Sequence, residues 1–477
     1  MHPTKLKNLL TWVFAAGIPL IAWVIPGSWY PIAGLTVIEQ RIIAIFALAA
    51  LFWILEPVPI YATSIIVIAL LLFTCSTSAL TWMRGPAEDA AFGKLLDYKE
   101  IMATFASPII LLFLGGFFMA AAATKYRMDQ NLARVLLKPF GNKPGMVMLG
   151  LMIITAFFSM FMSNTATTAM MLSILAPLMS RLDITDRGRI ALTLSIPVAA
   201  NLGGVGTPIG TPPNAIALQY LTGQASISFG QWMVFGIPFV VIMLFLGWLL
   251  LLKLFPFQKP VLEVDIKGKF LQTRPARVVY LTFVVTILLW LTDFIHGMNA
   301  YTVAILPVAV FLATGIINKE DMKRLSWDVL WLVAGGIAIG LALEKSGLAQ
   351  HLIKSIPFEV LSPISILILA SVVGLAMANF MSNTATANLL LPLMAALGTV
   401  IPELSEGGGL PVLILSVTFA ISMGMCLPIS TPPNALAHAT GNIQSGDMAR
   451  TGLILGIAGL VLAIALMSVL KMMHYFA

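Results

Sequence analysis

The chain has 477 residues, 59% of them hydrophobic and 10% charged, with a formal net charge of +7 and a mean hydropathy of +0.97. Soluble domains are about a quarter charged, so this composition excludes a soluble globular protein. The basic residues are scattered through loops and form no stripe for a nucleic-acid partner.

Apolar runs near 20 residues, long enough to cross a bilayer as helices, recur from end to end. The first, at 9–26, follows Lys5 and Lys7 as a signal peptide would. No small-residue cleavage site follows it and more spans come after, so it reads as a retained helix. Full spans are expected at 9–26, 40–55, 58–77, 104–124, 232–254, 276–295, 300–317, 327–345 and 452–473. Residues of about 144–182 are apolar on both sides of Ser163-Asn164-Thr165, and residues of about 362–400 on both sides of Ser382-Asn383-Thr384. Each is either two short spans or a hairpin that enters the membrane and turns back. Residues of about 190–222 and 411–441 read as apolar helices interrupted by Gly, Thr and Pro-Pro. Two cysteines, Cys75 and Cys426, lie too far apart to imply a disulfide framework or a metal site and read as packing residues.

The second half rewrites the first. "FMSNTAT" begins at Phe161 and again at Phe380, 219 positions later. "LGGF" at Leu114 answers "AGGI" at Ala334, "GTPPNAIA" at Gly210 answers "STPPNALA" at Ser430, and Lys125 and Gln130 answer Lys345 and Gln350, all at an offset of 220. The ordered series divides the chain into an extra N-terminal helix (1–39), a first repeat (40–256), a basic linker (257–275) and a second repeat (276–477).

Charge sidedness arbitrates between the two readings of the motif regions. With the motif regions as hairpins and the Pro-Pro regions as single broken spans, eleven crossings result, the N-terminus in the cytoplasm and the C-terminus outside. Twenty of the 27 Lys and Arg then fall on the cytoplasmic side and seven on the other, as the positive-inside rule demands. Five crossings per repeat is an odd number, so the repeats are inverted, a recurrent plan of secondary transporters. The expected fold is an all-α polytopic membrane protein with two opposed re-entrant hairpins and discontinuous helices at mid-membrane.

Irregular backbone inside a bilayer must be buried in protein or line a wet cavity. Four such points occur here, and each precedes a new helix. Ser, Asn and Thr are good N-caps and Pro suits the first turn. Four helix N-termini around one point, each with free N–H groups and partial positive charge, make an anion site. No Lys or Arg lies in the core of a span, so a buried anion requires a cation to travel with it. Carbonyls at the half-helix ends and the side-chain oxygens of Ser159, Ser163 and Asn164 suit a hard cation such as sodium. Sodium-coupled anion transport follows as the physical expectation. An intramembrane enzyme is excluded by the lack of HExxH, GxSxG or a buried acid pair in the spans. A channel is disfavoured by two deep hairpins that seal a central site.

At these residues the sequence resembles the divalent anion/sodium symporters, from about residue 10 to the end. The resemblance implies homodimers with a scaffold domain at the dimer contact and a transport domain that moves as an elevator. Compact loops and bare termini suggest a bacterial inner membrane. The resemblance implies that Asn164, Thr165, Thr211, Asn383, Thr384, Thr431 and Pro432 face the carboxylates of a C4-dicarboxylate such as succinate, fumarate or malate. It implies a first sodium site at Ser159, Ser163, Asn164 and Gly210 and a second at Ala378, Ser382, Asn383 and Ser430, with no organic cofactor. Ala378 departs from the pattern, which often has a hydroxyl there. That departure keeps in view a sodium-independent dicarboxylate exchanger, beside sulfate or citrate carriers of the same family. Glu56 reads as interfacial. His438, seven residues past Thr431 and so roughly 10 Å along a helix, reads as packing rather than a ligand. The Met-rich stretch 160–171 reads as adaptable packing.

Overall fold

The computed structural model describes residues 3–476 apart from 33, 86–89, 263–269, 356–361, 402–403 and 405–407. Lys267 and Lys269 of the expected basic linker fall outside the described residues. The first half contains α1 (Pro3–Val24), α2 (Val37–Leu55), α3 (Ile60–Cys75), α4 (Tyr98–Ala103), α5 (Pro108–Lys125), α6 (Met128–Leu137), α7 (Pro144–Phe161), α8 (Asn164–Met179), α9 (Gly188–Gly204), α10 (Pro212–Tyr220) and α11 (Phe229–Leu254). The second contains α12 (Arg274–Leu291), α13 (Asp293–His296), α14 (Ala300–Val303), α15 (Ile305–Ala313), α16 (Lys319–Lys323), α17 (Trp327–Ser346), α18 (Leu348–Ser355), α19 (Pro363–Phe380), α20 (Asn383–Val400), α21 (Gly409–Ser422), α22 (Pro432–Ala439) and α23 (Ser445–Met472). Among the described residues the only β-pairing is an isolated bridge, Ser76 to Leu96.

The helix starts are written locally. Thr36 and Glu39 form a capping box on α2, and Ser228 and Gln231 form one on α11. Proline occupies the first turn of α5, α7, α12 and α19, where its missing N–H costs nothing.

Among the described residues, eight helical stretches are long and apolar enough to cross a membrane: Val37–Leu55, Tyr98–Lys125, Pro144–Phe161, Phe229–Leu254, Arg274–Leu291, Trp327–Ser346, Pro363–Phe380 and Ser445–Met472. Six of them coincide with expected spans. The spans expected at 9–26, 58–77 and 300–317 fall on shorter apolar helices. The remaining two, α7 and α19, are the first arms of the expected hairpins. At 18 residues and about 1.5 Å per residue such an arm matches the hydrocarbon core, so length alone does not separate an arm from a span.

The two halves interlock. Within each half the long arm packs on the helix that precedes the Pro-Pro break, α7 on α9 and α19 on α21. Across the halves, α10 packs on α20 and α21, while α22 packs on α8 and α9. Each short post-break helix is therefore held by the opposite half. A second apolar cluster joins α2, α3 and one face of α17, and α17 lies against α3 through Gly335, where a Cβ would come within 2.3 Å of Ser64.

Candidate functional site

Four helix breaks among the described residues reach one cavity of about 410 Å³. Helix α7 ends at Phe161 and α8 restarts at Asn164, with Met162 extended between them. Helix α19 ends at Phe380 and α20 restarts at Asn383, with Met381 extended. The other two breaks run from Val205 to Thr211, before α10, and from Met423 to Thr431, before α22. In these last two, tandem prolines open the new helix, so its first two positions carry no N–H that needs a partner.

The unwound turns leave carbonyls inside the protein, and one asparagine in each half satisfies them. Asn214 Nδ2 donates to the carbonyls of Gly204 at 3.0 Å and Thr207 at 2.8 Å. Asn434 Nδ2 donates to those of Met425 at 2.8 Å and Leu427 at 3.0 Å. Both asparagines are buried. A third, Asn201 on α9, crosses between the halves and donates to Thr431 Oγ1 at 3.2 Å and Asn434 Oδ1 at 3.1 Å. Sequence reasoning assigned no role to any of the three. The repeated Thr-Pro-Pro-Asn contained the signal for Asn214 and Asn434. Asn201 has no polar mate, because Ile421 stands at the matching position.

Ser163, Asn164, Thr165, Gly210, Thr211, Ser382, Asn383, Thr384, Ser430, Thr431 and Pro432 all line the cavity. Ser159 and Ala378 do not; they sit behind it, fully buried. Phe113, Gly116 and Phe117 of α5 and Ser326, Asp328, Val329 and Leu332 of α17 close the far wall. No Lys or Arg is among the described lining residues. Four helix N-termini and the polar edges of Ser, Thr and Asn are what the cavity offers a ligand, and the sign of that field favours an anion.

The expected capping is only half present. Ser382 accepts from Ala385 N at 3.2 Å and Thr431 from Asn434 N at 3.3 Å. Ser163 and Thr211 hold the N-cap positions of α8 and α10 without a side-chain cap bond, which corrects the uniform capping expected from sequence.

Behind the first Ser-Asn-Thr turn, oxygen atoms crowd together. Ser159 Oγ lies within hydrogen-bond distance of two acceptors, Asn164 Oδ1 and the carbonyl of Ala200 at 2.8 Å, with one proton to give. Gly204 and Gly210 approach so closely that a Cβ on Gly210 would lie 2.4 Å from the Gly204 carbonyl oxygen. A Cβ on Gly204 would lie 2.9 Å from Asn164 Oδ1 and 3.0 Å from the Gly210 oxygen. Hydroxyl, amide and carbonyl oxygens without a formal charge form a donor set that fits a hard monovalent cation. The second turn is built differently. Asn383 Oδ1 is buried without a hydrogen-bond partner, because Ala378 stands where Ser159 stands in the first. Ser430 Oγ is committed to the carbonyl of Asn379 at 2.9 Å, and Asn379 Oδ1 accepts from Cys426 N at 2.8 Å.

Other sequence candidates fall elsewhere. His438 is bonded to Ser445 at 3.2 Å, outside the cavity lining. Glu56 is exposed and ends α2 in the left-handed region at φ 46°. A larger, mostly apolar cavity of about 890 Å³ lies between α10–α11 and α12–α14. It holds none of the expected residues, so its size does not make it the site.

The family model for the sodium:sulfate symporter transmembrane region matches residues 6–475. A sodium-dependent dicarboxylate transporter of Staphylococcus saprophyticus, SdcS, is 30% identical over 464 residues, covering 89% of this chain and 84% of that protein. The SdcS of Staphylococcus aureus strain USA300 is 31% identical with the same coverage. The inorganic phosphate transporter PHO87 of Saccharomyces cerevisiae is 29% identical over 409 residues, covering 84% of this chain and 43% of that protein. Among solved structures, the Neisseria gonorrhoeae efflux pump MtrF matches at a TM-score of 0.51 and 13% identity, over 88% of this chain and 96% of that one. The Alcanivorax borkumensis YdaH transporter matches at 0.50 and 13%, over 78% and 87%. These two are similar in fold alone.

Proposed function

This chain belongs to the sodium:sulfate symporter family, and from that premise we propose that it is a secondary active transporter that carries a small dianion together with sodium. The substrate class we assign is the C4-dicarboxylates, succinate, fumarate and malate. The single observation that carries the reading is the convergence of four helix N-termini on a cavity with no basic side chain among its described lining residues. A dianion there gains from oriented N–H groups, yet burial without a counter-charge remains costly. Sodium bound behind the same turns supplies that charge, so the two solutes bind together or not at all.

In this reading Asn164, Thr165, Thr211, Asn383, Thr384, Thr431 and Pro432 hold the carboxylates. Ser159, Ser163, Asn164 and Gly210 hold one sodium. Ala378, Ser382, Asn383 and Ser430 hold a second, with backbone oxygens replacing the hydroxyl that Ala378 lacks. The two repeats, each with a re-entrant hairpin, lie inverted in the bacterial inner membrane, with the N-terminus cytoplasmic. The protein works as a homodimer in which the hairpins and broken helices move as an elevator past α17 and its neighbours. Names of the 30–31% identical relatives favour dicarboxylate over sulfate.

The second reading is a sodium-independent dicarboxylate exchanger, and Ala378 is the observation that favours it. Uptake of labelled succinate into proteoliposomes separates the two. The symporter fills empty vesicles only when sodium is higher outside. Uptake that needs preloaded succinate and ignores sodium identifies the exchanger, and no movement of succinate in either format rejects the assigned substrate.

A further inference from the structure

Among its described lining residues the cavity has one ionisable side chain, and it is an acid, Asp328. Asp328 is the second residue of α17 and is exposed. It has no hydrogen-bond or ion-pair partner among the described residues. Ser326, Val329 and Leu332 line the same wall. The neighbouring bases do not screen it from within the cavity: Lys323 is paired with Glu320 at 2.6 Å, and neither Lys323 nor Arg324 is part of the lining.

An acid in the first turn of a helix is favoured by the helix dipole. That explains why the charge is tolerated on α17. It does not make the charge neutral toward a ligand in a cavity where four other helix ends attract anions. Toward a dianion, α8, α10, α20 and α22 pull while Asp328 pushes. The pull comes from the hairpins and broken helices; the push comes from α17, which packs on α3 and shares an apolar cluster with α2. If the first group moves past the second, the substrate leaves its attraction behind in neither end state but meets the repulsion in only one.

We propose that Asp328 is a release residue: its carboxylate, fixed on the α17 wall, weakens dianion binding in the end state where the cavity opens beside the N-terminus of α17, and so sets the low-affinity side of the cycle. This rests on the reading above, that the cargo is a dianion and the hairpins move relative to α17. Asp328 positions no atom of the substrate. It acts through charge alone, so its effect scales with ligand charge and fades with salt.

The test uses the full chain purified in detergent, with succinate and sulfate titrated calorimetrically in saturating sodium, and the same variants in proteoliposomes. Removing one unit charge across a solvated cavity changes affinity by about fivefold. Asp328→Asn is therefore expected to tighten binding of both dianions about fivefold at low salt, with the gain shrinking at about 0.5 M ionic strength. Net uptake should slow while succinate counterflow, which needs no empty return, slows less. Asp328→Glu should behave as the parent. Ser326→Asp, which adds a second acid to the same wall at a position where Asp is a good N-cap, should weaken binding by a similar factor. Unchanged affinity in Asp328→Asn, Asp328→Glu matching Asp328→Asn, or a shift confined to the sodium dependence would each overturn the proposal; the last would make Asp328 a cation ligand. A parent protein that binds neither succinate nor sulfate rejects the dianion reading itself, and the role of Asp328 falls with it.

Discussion

Ser159 and Ala378 occupy matching places and differ by one oxygen. In the first half that oxygen lies within hydrogen-bond distance of Asn164 Oδ1 and the Ala200 carbonyl; in the second, Asn383 Oδ1 is left alone. Ser159→Ala is expected to raise the half-saturating sodium concentration about tenfold, the loss of one good oxygen contact at ~1.4 kcal/mol. Ala378→Ser should lower it, by restoring a hydroxyl beside Asn383. Sodium titration of succinate uptake reads both, and an unmoved value in Ala378→Ser would mean that backbone carbonyls already complete the second site. Asn214 and Asn434 make the complementary case for stability. Each is a buried amide whose Nδ2 ties together two carbonyls of an unwound turn, so Asn214→Ala or Asn434→Ala should cost about 1–3 kcal/mol. Thermal melting of the detergent-solubilised protein measures that loss.

At the scale of elements, α17 is the helix on which both kinds of structure meet. Its Gly335 accepts α3, its Gly336 accepts Asn388 of α20, and its Gly340 accepts Tyr220 of α10. A Cβ at Gly336 would fall 1.8 Å from Asn388 Oδ1, and one at Gly340 would fall 2.3 Å from Tyr220 Oη. Gly336→Ala should therefore be overpacked by about 1–3 kcal/mol and slow transport by prising α20 from α17. Gly17→Ala, with nothing within 4 Å of the added carbon, is the silent control in both melting and uptake. The end of α5 is tied differently, through Lys125 to Asp321 at 2.5 Å and to the Ile316 carbonyl at 2.9 Å. Partial burial works to raise the Asp321 carboxyl, but the Asn318 cap and the Lys125 charge outweigh it and hold it below its ordinary value. A depressed carboxylate stabilises the fold above its unfolded pKa and loses that contribution as pH falls through the folded one. Asp321→Asn should cost under about 1 kcal/mol at pH 7, since the pair is solvent-accessible, and nothing at a pH low enough to protonate it. Melting curves at the two pH values decide it.

For the whole molecule, the distribution of Lys and Arg predicts an arrangement in the membrane that labelling can test. If the N-terminus is cytoplasmic, Asp183→Cys, in the basic turn after α8, should label from the cytoplasmic side, and Trp82→Cys, between α3 and α4, from the other. Both native cysteines are buried, so background labelling by an impermeant maleimide should be low. Reversed labelling would reject the orientation, and labelling of both from one side would reject the crossing count.

Much of this was legible in the chain because the determinants are local. A run of apolar residues makes a membrane helix wherever it sits. Tandem proline cannot continue a helix but suits its first turn, so the restarts at Pro212 and Pro432 follow from the residues at hand. The repeat itself is a property of the string. What only the tertiary structure decided is which ends share a cavity and what faces them. Asn201 reaches Thr431 and Asn434 across more than two hundred residues, and no periodicity encodes a contact at that range. Ser159 lies behind the cavity rather than in it because α7 is still helical there and turns that residue toward α9. Asp328 reads in sequence as a helix-start acid; that it faces the anion-favouring cavity depends on how α17 packs against elements from both halves. Backbone choices are settled by neighbours in the chain, and the sign of the field at a point is a sum over everything that packing brings near it.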